Sequence, residues 1–252
     1  MASIKTIIKL FEQGNVCVVG ERGKGKDMLF ANVIARRNLP YVSNCRYDKK
    51  GGLAVDYFPL EFDKIDCGQN TYVNFINGTI NYYEYPYPMG ADVYITDVGV
   101  YLPSQYCNEL NKAYKYIPTF MALSRQLGQV NTHINTQSLN RCWDKLREQS
   151  RTYITALGCK VIPIGKHQLV LQKVRIHERY ESCLSNVPKL NLPWWIYISA
   201  DKMLASLYKL NYRIQHGDIK EYTLIYWNKS DYDTNIFRTI LKGGITNGKS
   251  HK

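Results

Sequence analysis

Short apolar runs and amphipathic stretches alternate along this chain. Apolar residues recur at helical spacing from Ile4 to Phe11, between a capping Ser3 and a terminating Gly14, and predict a first helix. Residues 16–19 form a valine-rich run typical of a buried strand, and residues 28–35 predict a helix that ends near the Arg36-Arg37 pair. Further strands are predicted over 41–43, 91–96, 130–136, 152–164, 168–176 and 222–227.

The remaining pattern predicts three more helices and one hairpin. The helices cover residues 104–127, where Pro118 should kink the helix, 139–149 and 199–209. Asn77-Gly78 favours a tight turn between strands at 71–76 and 79–83. The tyrosine-rich residues 82–88 are either a stacking surface for single-stranded bases or, as we favour, an aromatic loop packed on its own domain.

Strands that alternate with helices predict an α/β fold, with a mainly parallel sheet and helices on both faces. Ligands of such sheets bind at the carboxyl ends of the strands. We expect a core over residues 1–180, a C-terminal extension over 181–241 that packs on or completes it, and a disordered basic tail over 242–252.

The stretch Gly20 to Asp27 spells G-x-x-x-x-G-K, the phosphate-binding loop (Walker A) pattern, between the predicted strand at 16–19 and the following helix. Its glycines permit backbone angles that turn successive N–H groups onto phosphate oxygens, and the helix N-terminus adds partial positive charge. Lys26 should reach the β- and γ-phosphates of a nucleotide. The predicted nucleotide-binding residues are Gly20, Glu21, Arg22, Gly23, Lys24, Gly25, Lys26, Asp27 and Met28.

Two carboxylates are candidate magnesium ligands. Asp97 ends the apolar run 91–96, where a phosphate-loop protein that hydrolyses nucleotide carries its metal-side carboxylate. Asp27 takes the place of the usual Ser or Thr ligand, and a carboxylate suits a hard cation. The alternative for Asp27 is that it only caps the helix and points away from the site.

Composition narrows the partners without choosing among them. The 252 residues carry a net charge of +12, which favours nucleic acid, an anionic membrane surface or a nucleotide. Seven scattered cysteines predict reduced thiols and no zinc site. The most apolar stretch, residues 192–200, is far shorter than the ~20 residues that cross a bilayer.

Several segments resemble one family in order along the chain. Residues 97–103 (Asp-Val-Gly-Val-Tyr-Leu-Pro) look like the second nucleotide-site segment of the Zot-like (zonular occludens toxin-like) ATPases of phages, which are related to the HerA–FtsK DNA-pumping ATPases. Residues 123–128, 136–138 and 144–147 are similar to that family's arginine-containing helix end, Thr-Gln strand end and basic helix. Tyr232-Asp233-Thr234 also looks like a family element.

The resemblance implies a P-loop NTPase with a RecA/FtsK-like core, ATP and Mg²⁺ as cofactors, and a homo-oligomeric ring. It implies an ATPase that moves phage DNA, single-stranded by expectation, during packaging or export. Its expected location is the host cytoplasm or the periphery of the inner membrane, and membrane or capsid assembly proteins are possible partners. Carried over by position, Lys26, Asp97 and Gln137 are catalytic, with Gln137 as the sensor of the γ-phosphate. Arg125 or Arg147 is then an arginine finger, or else a surface cation.

Two departures from the family pattern leave a rival open. Val98 stands where the family has Glu, and Asp27 where it has Ser or Thr; Glu21 is the nearest replacement for the missing carboxylate. The rival is an assembly module that binds nucleotide with little or no hydrolysis. ATP turnover with and without DNA separates the two hypotheses.

Overall fold

The computed structural model describes residues 3–47, 56–60, 87–101, 121–122, 128–199 and 201–230. The predicted hairpin at 71–83, most of the predicted helix at 104–127, the Tyr232-Asp233-Thr234 segment and the tail at 242–252 lie outside these residues.

Strands and helices alternate in the described part of the chain. The strands are β1 (Val16–Val19), β2 (Tyr41–Ser43), β3 (Tyr57–Pro59), β4 (Asp92–Ile95), β5 (Thr132–Thr136), β6 (Thr152–Ile164), β7 (His167–His177) and β8 (Ile219–Trp227). The helices are α1 (Ile4–Gln13), α2 (Lys26–Arg37), α3 (Val98–Tyr101), α4 (Asp144–Arg147), α5 (Tyr180–Leu184), α6 (Trp194–Ser199) and α7 (Lys202–His216), with a 3₁₀ turn at Leu139–Arg141.

The described strands form one mixed sheet in the order β3-β2-β4-β5-β1-β6-β7-β8. All pairs from β3 to β6 are parallel, whereas β6, β7 and β8 pair antiparallel. β5 therefore separates β1, which leads into the glycine-rich loop, from β4, which ends just before Asp97. Val19 lies opposite Thr136, so the ends of β1 and β5 meet at one edge of the sheet.

Apolar side chains cover both faces of the sheet. α1 and α2 pack on one face, where they bury Ile7, Phe11 and Leu29. The short helices α3, α4 and α5 and the 3₁₀ turn contribute buried residues such as Val98 and Leu146 to a second cluster. β1 serves both clusters, because successive side chains of a strand point to opposite faces. The expected layered architecture is confirmed.

β5 is a central strand that nevertheless carries polar side chains. The His133 Nδ1 accepts the Val16 N–H at 3.3 Å, and Asn131, the residue before β5, donates to the Phe11 carbonyl at 3.0 Å. The Thr132 N–H donates to the Asn15 side chain at 2.8 Å. These hydrogen bonds connect β5 to the end of α1 and the start of β1. The polar residues of this segment therefore help to hold β1 in position.

Two helix predictions need correction. The segment 139–149 is a 3₁₀ turn at Leu139–Arg141 followed by the single helical turn α4. The segment 199–209 is part of two helices, because Asp201 caps α7 by accepting the Leu204 N–H at 2.9 Å and separates it from α6. In both places a local cap or turn divided an apolar pattern that looked continuous.

Candidate nucleotide-binding site

The loop between β1 and α2 has the backbone that its glycines predict. Gly23 and Gly25 have φ angles of 80° and 88°, in the left-handed region that side chains disfavour. The Gly20 N–H donates to the Thr136 carbonyl at 3.1 Å, which fastens the start of the loop to the end of β5. Gly25 is the N-cap of the 12-residue α2, so the first free N–H groups of this helix face the loop.

The antiparallel strands β6 to β8 support the back of the loop. The fully buried Gln172 donates through its Nε2 to the Gly25 carbonyl at 2.8 Å, and its Oε1 accepts the Tyr226 hydroxyl at 2.6 Å. Burial raises the pKa of Tyr226, so its hydroxyl stays a donor. A Cβ on Gly25 would lie 2.4 Å from the Cβ of Cys159. The loop therefore has no room for a side chain at this position.

The same strands hold the middle of α2. Asn32 donates to the Asn228 side chain at 2.9 Å and accepts the Lys229 N–H at 3.0 Å. Arg36 donates to the Asn32 side chain at 2.7 Å and to the Trp227 carbonyl. The loop and its helix are thus fixed from one side by residues near the end of the described chain.

Lys26, the predicted phosphate-binding residue, lies between two carboxylates. Its side chain is 6% exposed, and its Nζ is 3.0 Å from the Asp97 Oδ1 and 3.2 Å from the Asp27 Oδ2. Burial alone would lower the pKa of Lys26, but the two carboxylates outweigh it and raise the pKa above its usual value. The lysine therefore stays charged and is directed at the point where the loop and β4 meet.

Asn135 joins the two carboxylate-bearing segments and was not predicted from the sequence. Its Nδ2 donates to the Asp27 Oδ1 at 2.9 Å, and its Oδ1 accepts the Asp97 N–H at 2.7 Å. Asp97 itself has a φ of 48°, a conformation in which Asp is several-fold enriched over other non-glycine residues. The available signal was the unusual polarity of the predicted strand 130–136.

The donor set fits the magnesium ion that the fold class implies. Asp27 and Asp97 both contact the same lysine nitrogen, so two carboxylates converge on one point beside the loop. Carboxylate oxygens are the protein ligands that Mg²⁺ prefers. The side chain of Asp27 turns toward Lys26 and Asn135, while Gly25 occupies the N-cap position, so the capping alternative does not describe its contacts.

Gln137 is exposed at the mouth of the site. It lines a cleft of about 340 Å³ together with Gly20, Glu21 and Lys24 of the loop. It also lines a smaller cavity beside Asp97. Gln137 therefore lies between the loop and the end of β4, and its predicted contact with a terminal phosphate stays a prediction.

The predicted arginines fall elsewhere. Arg125 lies outside the described residues. Arg147 donates to the Leu139 carbonyl at 3.3 Å and lies over the Tyr180 ring, so its contacts join the 3₁₀ turn and α5. Arg141, which sequence reasoning missed, lines the small cavity with Asp97 and Gln137. Nothing in its sequence context distinguishes it from other surface arginines.

Val98 and Glu21, the two positions considered for the missing glutamate, differ in their exposure to solvent. Val98 is fully buried in the core at the start of α3 and cannot replace a carboxylate. The Glu21 side chain is 82% exposed and lies 4.0 Å from the Lys24 Nζ, on the outside of the loop. Among the described residues, neither position places a carboxylate beside Asp97.

The chain has the fold of a P-loop NTPase, with the residues of a candidate nucleotide site at the expected edge of the sheet. A mainly parallel sheet flanked by helices carries a phosphate-binding loop after β1, and a second carboxylate segment follows β4 with β5 between them. No protein-family model and no curated protein matches the chain. Among the described residues, no helix is both long and apolar enough to span a bilayer.

Solved structures that are similar to the chain include a domain of zonular occludens toxin, whose family the sequence resembles. One is the N-terminal domain of zonular occludens toxin from Neisseria meningitidis, 12% identical, with a TM-score of 0.38 over 89% of this chain and 97% of that one. Another is the genome packaging NTPase B204 from Sulfolobus turreted icosahedral virus 2 in complex with ATPγS, 12% identical, with a TM-score of 0.37 over 66% and 97%. A third is EssC (ATPases 2 and 3) from Geobacillus thermodenitrificans, 14% identical, with a TM-score of 0.36 over 76% and 50%.

Proposed function

We propose that the protein is a viral ATPase that binds ATP in the Gly20–Asp27 loop and couples its hydrolysis to the movement of DNA during virion assembly. The observation that carries the proposal is the contact of Lys26 with Asp97, 3.0 Å apart, at the N-terminus of α2. A phosphate-binding cation and a metal-side carboxylate meet there behind a glycine-rich loop.

Each residue has a distinct task in this proposal. The loop N–H groups and Lys26 bind the phosphates, and Asp27 and Asp97 hold Mg²⁺, which neutralises phosphate charge when bound. Asn135 keeps the two carboxylate segments at a fixed separation through its two hydrogen bonds. Gln137 orients the attacking water or contacts the γ-phosphate, and Arg141 adds positive charge from the small cavity.

Thermal unfolding with and without ATP tests nucleotide binding. Ligand at 100 times its Kd stabilises the native state by about 2.7 kcal/mol, so wild-type protein should melt at a higher temperature with Mg-ATP. Lys26→Ala should lose this shift, whereas Lys9→Ala, which removes an exposed charge on α1, should keep it. An equal shift in wild type and Lys26→Ala contradicts the proposal.

A second candidate function is an assembly module that binds ATP and barely hydrolyses it. Buried Val98 and exposed Glu21 favour it, because neither supplies a base beside Asp97. Steady-state ATP turnover with and without DNA decides between the two. Nucleotide-dependent stabilisation with no turnover in either condition supports the module, and DNA-stimulated turnover supports the motor.

DNA should bind chiefly through its phosphates, given the net charge of +12. Affinity should then fall steeply as salt rises, with a log–log slope set by the number of phosphates neutralised. A flat salt response, or no binding at low salt, contradicts a DNA-moving function. The proposed ring is tested by light scattering with nucleotide and DNA present, where a fully active monomer contradicts it.

A further inference from the structure

The two helices that precede β8 leave most of their large apolar side chains in solvent, although Ile196 of α6 is buried. α7 has no buried residue along its 15 positions. On α6, Trp194 is 72% exposed and Ile198 is 75% exposed. Several large apolar side chains exposed on neighbouring helices are typical of a site of interaction.

The exposed apolar residues of α7 form one stripe. Met203, Leu207, Leu210 and Ile214 are each at least 51% exposed and follow one another at spacings of four, three and four residues. Residues at these spacings share one face of a helix. The stripe therefore points away from the protein as a continuous band, with Tyr212 half-buried on the other side of the helix.

Contacts on the inner side fix the direction of the stripe. The Trp195 and Tyr208 rings meet edge to face with centroids 6.2 Å apart, which joins α6 to α7. The Arg179 guanidinium donates to the Ile214 carbonyl at 3.1 Å, and the Ser182 hydroxyl donates to the His216 carbonyl. α7 is thus attached at its C-terminal end and through α6, while the described residues leave the stripe exposed.

Positive charge lies along one edge of this stripe. The segment Lys202–His216 contains no acidic residue. At about 100° per residue, Lys202, Lys209 and Arg213 fall within one narrow arc next to the stripe. The surface therefore combines an apolar band, aromatic residues and a basic edge, which is the composition of helices that lie in a membrane interface.

A second copy of the chain is a poor complement for this surface. Pairing of α7 with itself brings basic residues together, and the helix has no carboxylate to offset them; Asp218, just after α7, already pairs with Arg213 of the same chain at 3.3 Å. Another exposed apolar group within the described residues, formed by Val161, Ile164 and neighbouring side chains of the β6–β8 sheet, is also flanked by lysines, Lys160 and Lys166. A lipid bilayer with anionic headgroups offers phosphates to the basic edge and an apolar layer to the stripe.

We propose that α6 and α7 form an anchor that lies in the headgroup region of an anionic lipid bilayer. The stripe contacts the acyl chains, and Trp194 and Tyr197 occupy the interface, where amphipathic aromatic rings are enriched. Lys202, Lys209 and Arg213 contact lipid phosphates through their long side chains. The anchor is independent of the nucleotide site and places the protein on a membrane surface.

Sedimentation of the full chain with lipid vesicles tests the basic edge. The protein should bind vesicles of phosphatidylcholine mixed with phosphatidylglycerol and bind pure phosphatidylcholine much more weakly. The double variant Lys209→Gln/Arg213→Gln should bind the anionic vesicles roughly 30-fold more weakly, from the contribution of each basic residue near such a surface. The matched variant Lys160→Gln/Lys166→Gln should bind like wild type; equal binding by all three proteins overturns the proposal.

The stripe is tested by Leu207→Ser/Ile214→Ser, which should abolish vesicle binding and leave the melting temperature unchanged because both residues are exposed. Vesicles should shift tryptophan fluorescence to shorter wavelength in wild type, and Trp194→Phe should reduce that shift. Unchanged vesicle binding by the stripe variant overturns the anchor. A smaller oligomer by light scattering assigns the stripe to a second copy, and lost DNA binding assigns it to nucleic acid; both results also overturn the anchor.

Discussion

Replacing Asp27 by Ser should reduce the dependence of nucleotide binding on its divalent cation. Asp27 holds its carboxylate 3.2 Å from the Lys26 Nζ, with 21% of the side chain exposed. Without metal, an incoming phosphate must compete with this carboxylate for Lys26 and is also repelled by it. The usual Ser or Thr at this position imposes neither cost.

The structure sets the size of the effect. Two unit charges at 3.2 Å interact by about 5 kcal/mol at an effective dielectric of 20. Solvent at Asp27, its hydrogen bond from Asn135 and the remaining Asp97 carboxylate reduce the net penalty, so we expect about 2 kcal/mol. This corresponds to roughly 30-fold tighter metal-free binding by the Ser variant.

Titration of a fluorescent ATP analogue in Mg²⁺ and in chelator measures this effect. The ratio of the two affinities should be roughly 30-fold larger in wild type than in Asp27→Ser. Asp27→Asn is the matched control, because it removes the charge and can still accept the Asn135 hydrogen bond; it should behave like Asp27→Ser in chelator. If all three proteins give the same ratio, the carboxylate does not act on the metal or the phosphates, and Asp27 is not part of the site.

Two further changes test the framework around the loop, and a third tests a buried histidine at the end of β7. Gly25→Ala should destabilise the fold by about 2–3 kcal/mol in urea unfolding, because the new Cβ would clash with Cys159. Gly165 also has a left-handed backbone but open space around it, so Gly165→Ala should cost about 1 kcal/mol. Equal costs contradict the steric explanation. Gln172→Leu removes the buried donor to the Gly25 carbonyl, so it should lower the free energy of unfolding by about 1–3 kcal/mol and weaken Mg-ATP binding. Unchanged ATP affinity would show that the loop does not need this support. Burial lowers the pKa of His177 to about 4, so the unfolded chain takes up the proton before the folded chain as pH falls through 6.5. The free energy of unfolding should therefore drop between pH 7 and 5, and His177→Gln should reduce that drop by about 2 kcal/mol. An unchanged drop in the variant assigns it to other groups.

The fold and the loop were predictable because their signals are local. Apolar runs flanked by glycine predicted β1, β4, β6 and β7, and the order of strands and helices predicted the mainly parallel sheet. The loop pattern needs only eight consecutive residues and a strand–helix context. Asp97 was proposed as a site residue because it follows an apolar strand; its direct contact with Lys26, 3.0 Å apart, was not predicted.

The supporting residues were not predictable for the opposite reason. Asn135 acts on Asp27 and Asp97 only because β5 lies between β1 and β4, and this strand order is not written in any short stretch. Gln172 is 147 residues from Gly25, and its role depends on the register of β6 with β7. Polar side chains in strands that otherwise look buried were the one local sign that such contacts exist.

The support of the loop by the last described strand has a consequence for synthesis. The loop leaves the ribosome early, but its braces, Gln172, Tyr226 and Asn228, are made much later, and Asn228 follows its partner Asn32 by 196 residues. A nascent chain shorter than this lacks the contacts that hold the Gly25 carbonyl and the middle of α2. The loop therefore acquires these supporting contacts only after β8 has been synthesised, and shorter chains carry the complete motif without them.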